Sequence, residues 1–133
     1  MSAPGPTEIL SAFGDAQVCY LTTSGRVTGR PHTVEIWFGL HGRTLYFLAG
    51  AGHRADWVRN LSRSPAVTVR VGRRTVEGRA RVVTDPGEQE RARRIVYEKY
   101  APTYSGDLTE WRAGATPVAV DLVLERSTAG AGH

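Results

Sequence analysis

Apolar side chains change their spacing several times along this chain, and each change marks an element. From Thr7, a capping residue, Ile9, Leu10 and Phe13 recur at helical spacing, and the short helix closes near Gly14. Gln17 to Thr23 reads as a strand, followed by turn chemistry over Ser24-Gly25-Arg26-Val27-Thr28-Gly29-Arg30-Pro31, where two glycines are free to take positive φ. His32 to Leu40 alternates as a half-buried strand should: Val34, Ile36 and Phe38 share one face, Thr33, Glu35 and Trp37 the other. His41-Gly42-Arg43 turns the chain into a return strand, Thr44 to Ala49.

Gly50-Ala51-Gly52-His53 breaks that strand, and Arg54 to Arg63 switches to helical spacing through Ala55, Val58 and Leu61 until Ser64-Pro65 stops it. Ala66 to Val71 and Thr75 to Val83 alternate again around the hairpin turn Gly72-Arg73-Arg74. Asp85-Pro86-Gly87-Glu88 supplies an N-cap, a proline at the first helical position and an acidic third position for a helix to about Tyr100, with Ala92, Ile95, Val96 and Tyr100 as its stripe. Ala101 to Gly114 has no period and reads as irregular, and Thr116 to Leu124 is a last strand. About six strands and three helices result, with hairpins dominating the connections. Strands joined by tight turns pair antiparallel, and closing the sheet removes its edges. A mainly β fold, a small antiparallel barrel with flanking helices, is therefore expected as one domain over 7–126, with a flexible N-terminus at 1–6 and a flexible tail at 127–133.

Composition narrows the function classes. Seventeen Lys plus Arg against thirteen Asp plus Glu leave +4, mild for nucleic-acid binding, and no nucleic-acid partner is expected. Of the basic residues only Lys99 is a lysine, so the cations are mostly planar forks suited to phosphate and carboxylate. Hydrophobic residues at 41% and charged residues at 23% describe a chain that folds rather than a disordered one. No leader pattern or membrane-length apolar run is visible, which sets the expectation of a cytoplasmic protein without an integral membrane segment. Cys19 lies inside the apolar run Val18-Cys19-Tyr20-Leu21 and reads as a buried, inert thiol. The four histidines, His32, His41, His53 and His133, have no paired spacing, so no metal site is expected. A serine-hydrolase elbow is absent as well.

Two segments carry candidate chemistry. The turn Gly25 to Arg30 gathers two guanidinium groups, a hydroxyl and backbone amides that could face an anion; it also reads as an exposed hairpin tip with solvated arginines. Gly50-Ala51-Gly52-His53-Arg54 releases a strand into a helix, where a helix start and Arg54 offer positive potential to a phosphate; glycines used for dihedral freedom alone are the plainer reading. Tyr97, Tyr100, Tyr104 and Trp111 cluster late in the chain, as core or as the wall of a planar ligand's site.

The order of these motifs resembles a known family. Leu21-Thr22-Thr23-Ser24-Gly25-Arg26-Val27-Thr28-Gly29-Arg30-Pro31, a strand with Glu35 and Trp37, Gly50-Ala51-Gly52, Asp56-Trp57-Val58-Arg59-Asn60-Leu61 and Ser64-Pro65-Ala66-Val67 are similar to the deazaflavin-dependent nitroreductases. The resemblance runs from about Val18 to Val71 and more weakly to Leu124. It implies the split β-barrel of pyridoxamine-phosphate oxidase relatives and the cofactor F-420, an 8-hydroxy-5-deazaflavin with a phosphate and a polyglutamate tail, FMN being the alternative. It further implies that Arg26, Thr28, Arg30, His32, Thr33, Glu35 and Trp37 on one side, with Gly50, Ala51, Gly52, His53, Arg54, Trp57 and Asn60 on the other, line the cofactor groove. His32 stands where relatives often carry Arg, and Trp37 where Tyr can occur, which implies a narrowed pocket.

The expected activity is hydride transfer from reduced F-420 to a small electron-poor quinone, enone or nitro compound, with Tyr104, Tyr97 or His32 as candidate proton donors. The alternative is a non-catalytic carrier of F-420, FMN or haem on the same fold. The resemblance is compatible with either a monomer or a homodimer.

Overall fold

The computed structural model describes residues 5–124. The ends expected to fray, 1–6 and 127–133, lie outside the described residues except for Gly5 and Pro6. Helix α1 (Pro6–Asp15) starts earlier than a cap at Thr7 predicts. Gly5 takes the cap position, Pro6 opens the helix, and the Glu8 carboxylate accepts from the Gly5 N–H at 3.0 Å.

Seven strands follow: β1 (Cys19–Ser24), β2 (Pro31–Ile36), β3 (Gly39–His41), β4 (Thr44–Ala49), β5 (Ala66–Val71), β6 (Arg74–Val82) and β7 (Thr116–Leu122). Between them lie α2 (Asp56–Arg63), α3 (Pro86–Tyr100) and α4 (Thr109–Gly114). The sheet runs β2-β1-β5-β6-β7-β4-β3, and every neighbouring pair is antiparallel.

That order corrects the expectation of one strand from His32 to Leu40. β2 and β3 are the two outer strands of the sheet, yet only Trp37 and Phe38 join them. Ile36 and Gly39 are three Cα steps apart, at most about 11 Å, so the sheet rolls until its edges meet. The roll is the split barrel.

Trp37 and Phe38 lie outside both strands, so side chains of α3 bond the backbone here. The Tyr100 hydroxyl accepts from the Phe38 N–H at 3.0 Å and donates toward the Gln17 carbonyl at 2.7 Å, and Lys99 Nζ donates to the Phe38 carbonyl at 3.0 Å. Gly39 is where the chain passes tightly under α3: a Cβ there would stand 2.6 Å from Ile95 Cγ2.

Alternation sorts the apolar residues into two cores. Leu45 and Phe47 of β4 and Val118 and Val120 of β7 join Phe13, Leu21, Phe38, Val58, Leu61 and Val69 inside the barrel. The intervening Tyr46, Leu48 and Ala119 face the other way, against Ala92, Val96 and Tyr100 of α3 and Leu108. β4 and β7 are thus buried on both faces. The segment expected to be irregular, Ala101 to Gly114, ends in α4, whose first turn is held by Asp107 Oδ1 accepting from the Thr109 N–H at 2.9 Å.

Among the described residues no helix is long and apolar enough to cross a membrane.

Candidate functional site

The β1–β2 turn is folded on itself. Gly25 N–H donates to the Arg30 carbonyl at 2.8 Å, Gly29 N–H to the Gly25 carbonyl at 2.8 Å, and Arg30 N–H to Thr28 Oγ1 at 3.2 Å, with Gly29 at φ +76. The Arg26 N–H donates to Asn60 Oδ1 at 3.1 Å. Four amides that the sequence offered to an anion are therefore satisfied within the protein, and any anion here meets side chains instead.

Arg26 itself is a clasp. Its Nη1 donates to Asn60 Oδ1 at 2.9 Å and its Nη2 to Asp56 Oδ1 at 3.1 Å, tying the turn to α2. Asn60 is 3% exposed, and its Nδ2 donates to Thr23 Oγ1 at 3.1 Å, so each end of its amide is used. Trp57 also faces inward, edge-on to Phe47 at 6.2 Å. Asn60 lines the hollow beside the turn, while Trp57 packs against the barrel core.

What the clasp leaves open is a basic surface. A hollow of about 290 Å³ is lined by Arg26, Thr28, Arg30, His32 and Asp56, among others. A second, about 530 Å³, is lined by Arg26, His53, Arg59, Ser62 and Arg63. Arg30 and Arg54 are exposed, and neither is in an ion pair among the described residues. The predicted helix from Arg54 divides into a 3₁₀ turn, Gly52–Arg54, and α2. Gly52 sits at φ +58, with Thr116 Oγ1 only 3.0 Å from where a Cβ would be, and Gly50 packs on the Trp111 ring. Chain packing accounts for both glycines.

At the other end of β2 lies an aromatic chamber of about 560 Å³ whose lining includes Trp37, Tyr104, Trp111, Glu35, Asp107 and Leu108. Trp37 is stacked on Tyr100 with centroids 4.2 Å apart and planes 8° from parallel, while Tyr104 and Trp111 stand nearly perpendicular to it at 5.7 and 5.8 Å. Burial pushes the Tyr100 hydroxyl up to about 12, so this anchor stays protonated. Glu35 accepts from the Tyr20 hydroxyl at 3.1 Å, which raises the Tyr20 pKa. On the same strand as Glu35, the Thr33 hydroxyl meets that of Thr22 on β1 at 2.7 Å.

Of the three candidate proton donors, only Tyr104 lines this chamber. His32 lines the basic hollow, and Tyr97 packs between α3 and α4 beneath the Arg112 guanidinium at 5.4 Å. The reading missed Arg59, Ser62 and Arg63, whose helical spacing was visible but whose meeting with Arg26 was not, and Val18 and Leu48, which carry no chemical signal. Cys19 is fully buried, and desolvation pushes its thiol up to about 12, which fits an inert group.

β2 joins the two ends of the site. His32 and Trp37 are five residues apart, roughly 17 Å of strand, and β2 bonds only to β1 in the sheet. A flat acceptor needs an aromatic wall, and a cofactor with an anionic tail needs, apart from that wall, unpaired cations. Both are present, so the donor set fits such a cofactor.

The family model of the F420H(2)-dependent quinone reductases matches residues 5–122. The chain belongs to that family. This F420H(2)-dependent quinone reductase family member is accordingly an F-420-dependent oxidoreductase, with the cofactor that the resemblance implied. Solved structures agree on its fold. An F420-H2 dependent reductase is 20% identical, covering 78% of this chain and 93% of its own, at TM-score 0.64. A candidate pyridoxamine 5′-phosphate oxidase of Listeria innocua is 20% identical over 87% of this chain and 91% of its own, at TM-score 0.65. The haem storage protein HutZ of Vibrio cholerae is 15% identical over 92% and 93%, at TM-score 0.68. At these identities the three speak for the split barrel alone. The family match favours a reductase over the carrier alternative.

Proposed function

We propose that this reductase passes a hydride from reduced F-420 to a planar, electron-poor acceptor of the quinone type held in the aromatic chamber. Enones and nitro compounds share the electron demand and are the next acceptors to try. The observation that carries the reading is the pairing of an aromatic chamber with a basic surface along one strand, β2.

Arg30, with Thr28, His32, His53, Arg59 and Arg63 around it, and the exposed Arg54 beside these hollows are the groups that hold the phosphate and carboxylates of the tail, since guanidinium forks match both, while Arg26 fixes the turn that presents them. Thr33 lies on β2 between the two ends, and the Gly50-Ala51-Gly52 link leads from β4 into the turn that carries Arg54. When bound, reduced F-420 supplies a hydride from its deazaflavin carbon.

The chain's own contribution is positioning and a proton. Trp37, fixed by its stack on Tyr100, and Trp111 orient a flat acceptor and exclude water from its faces. A quinone that gains a hydride becomes a hydroquinone anion, and one proton completes the quinol. Tyr104, whose ring stands against Trp37 and is 46% exposed, holds that proton at its hydroxyl and recovers it from solvent.

The test is oxidation of reduced F-420 followed with menadione as acceptor, in the wild type and in Tyr104→Phe. Loss of the hydroxyl lowers kcat roughly a hundredfold, with cofactor affinity read separately by fluorescence titration. An unchanged kcat removes Tyr104 from the proton-donor role, and no turnover with any quinone, enone or nitro acceptor removes the reading itself.

A further inference from the structure

The side chains lining the aromatic chamber include two carboxylates, Glu35 and Asp107, and no Lys, Arg or His. Among the described residues neither carboxylate is in an ion pair. Each is held by neutral donors: Glu35 by the Tyr20 hydroxyl at 3.1 Å, Asp107 by the Thr109 N–H at 2.9 Å and hydroxyl at 2.6 Å. These bonds keep the Asp107 carboxyl below its usual range, so it is ionised at neutral pH. Two cations stand near the chamber without bonding either carboxylate: Arg70 lies over the Tyr20 ring at 4.4 Å and donates its Nη1 to the Gly72 carbonyl at 2.8 Å, and Lys99 donates its Nζ to the Phe38 carbonyl at 3.0 Å.

The basic hollow at the far end of β2 is the opposite in sign. The hollows at the two ends of β2 therefore differ in charge, positive where a tail of phosphate and carboxylates fits and negative where an acceptor enters. Anionic acceptors approaching the chamber meet two exposed carboxylates outside any ion pair, whose repulsion is felt most at low ionic strength.

The geometry points to an acceptor pocket that selects by charge: planar acceptors that are neutral or cationic enter it, and anionic ones are rejected by Glu35 and Asp107. This rests on the proposed reading of the chamber as the acceptor's site and names the class of acceptor it takes.

The experiment measures binding without cofactor, by quenching of tryptophan fluorescence, for menadione, a naphthoquinone sulfonate and a naphthoquinone bearing a trimethylammonium group. It compares the wild type with Glu35→Gln/Asp107→Asn. Gln still accepts from Tyr20, and Asn still accepts from the Thr109 N–H and hydroxyl. The wild type is expected to bind the sulfonate roughly tenfold more weakly than menadione at low ionic strength, with the gap narrowing as salt rises. In the double variant the gap falls to about threefold or less, and any preference for the cation disappears with it.

Equal binding of sulfonate and menadione by the wild type overturns the inference. So does a gap that the double variant leaves intact, or the absence of quenching by all three. Turnover of reduced F-420 is read in parallel. Charge-selective binding without turnover sinks the proposed reaction while the selectivity stands, and turnover that is blind to acceptor charge sinks the selectivity while the reaction stands.

Discussion

Arg26 and Arg30, four residues apart in one turn, do different work because of what faces them. Arg26 spends its fork on Asn60 and Asp56, whereas Arg30 is exposed and unpaired among the described residues. Arg30→Ala is expected to weaken F-420 roughly tenfold, about 1.4 kcal/mol, at an unchanged melting temperature, and Arg54→Ala likewise. Arg26→Ala is expected to lower the melting temperature, because it removes the Nη1 bond to the buried Asn60 and the ion pair with Asp56, leaving only the backbone N–H on Asn60 Oδ1. Fluorescence titration beside thermal melts separates the two kinds of arginine. An Arg26→Ala protein that melts like the wild type removes the clasp. Tyr100 is a similar case: Tyr100→Phe deprives the Phe38 N–H and the Gln17 carbonyl of their bonds, at a cost of about 1–3 kcal/mol, and loosens the platform under Trp37. A melt with no loss of stability speaks against that role.

Among the elements, α3 is tied to the sheet at both ends, and its first turn is tied by charge. Arg81 on β6 donates to both oxygens of Glu88 at 2.7 and 2.8 Å and to Asp121 on β7 at 2.8 Å, and the Tyr46 hydroxyl donates to Glu88 at 2.7 Å. The Arg81 guanidinium holds Glu88 at about 2 against an ordinary 4.5, and it lowers Asp121 also. Depressed carboxyls stabilise the fold fully above their unfolded pKa and lose that contribution as pH falls through the folded one. The melting temperature is therefore expected to drop between about pH 4.5 and 2. Glu88→Gln should be less stable at pH 7 by about 1–2 kcal/mol, given that Arg81 is partly solvated, and should drop less steeply across that window. Parallel slopes for the two proteins rule the clamp out as the source.

Gly39 tests the other end of α3. Gly39→Ala drives a methyl against Ile95 in a packed layer, which costs about 1–3 kcal/mol. An alanine tolerated without loss contradicts the tight passage between the barrel seam and the helix.

At the scale of the molecule, the seam between β2 and β3 brings both parts of the site onto one rolled sheet. The strand that forms one wall of the basic hollow ends at the tryptophan that walls the chamber. A ligand that binds the folded groove and not the unfolded chain raises the melting temperature by mass action. F-420 at a hundred times its Kd is expected to add about 2.7 kcal/mol, and FMN at the same concentration less, because it lacks the polyglutamate tail that the arginines would meet. Stabilisation by FMN equal to that by F-420 removes the tail from the account.

Much of this was legible in the chain itself. Period-two alternation through Ala66–Val71 and Arg74–Val82 marks strands, because that spacing puts alternate side chains on alternate faces, and the tight Gly-containing turn between them makes the pair antiparallel. Asp85-Pro86 marks the start of α3 for equally local reasons, and the order of the turn, the Gly-rich link and the helix beyond it already resembled the deazaflavin enzymes. Tertiary structure alone decided where His32 to Leu40 breaks, since the alternation passes unbroken through Trp37 and Phe38 and only closure of the sheet separates them. It decided also that Arg26 is a clasp, that Tyr104 and not Tyr97 reaches the chamber, and that Glu35 and Asp107 share a rim. Each depends on contacts between residues far apart in sequence, and no local pattern of spacing or propensity encodes which of them meet.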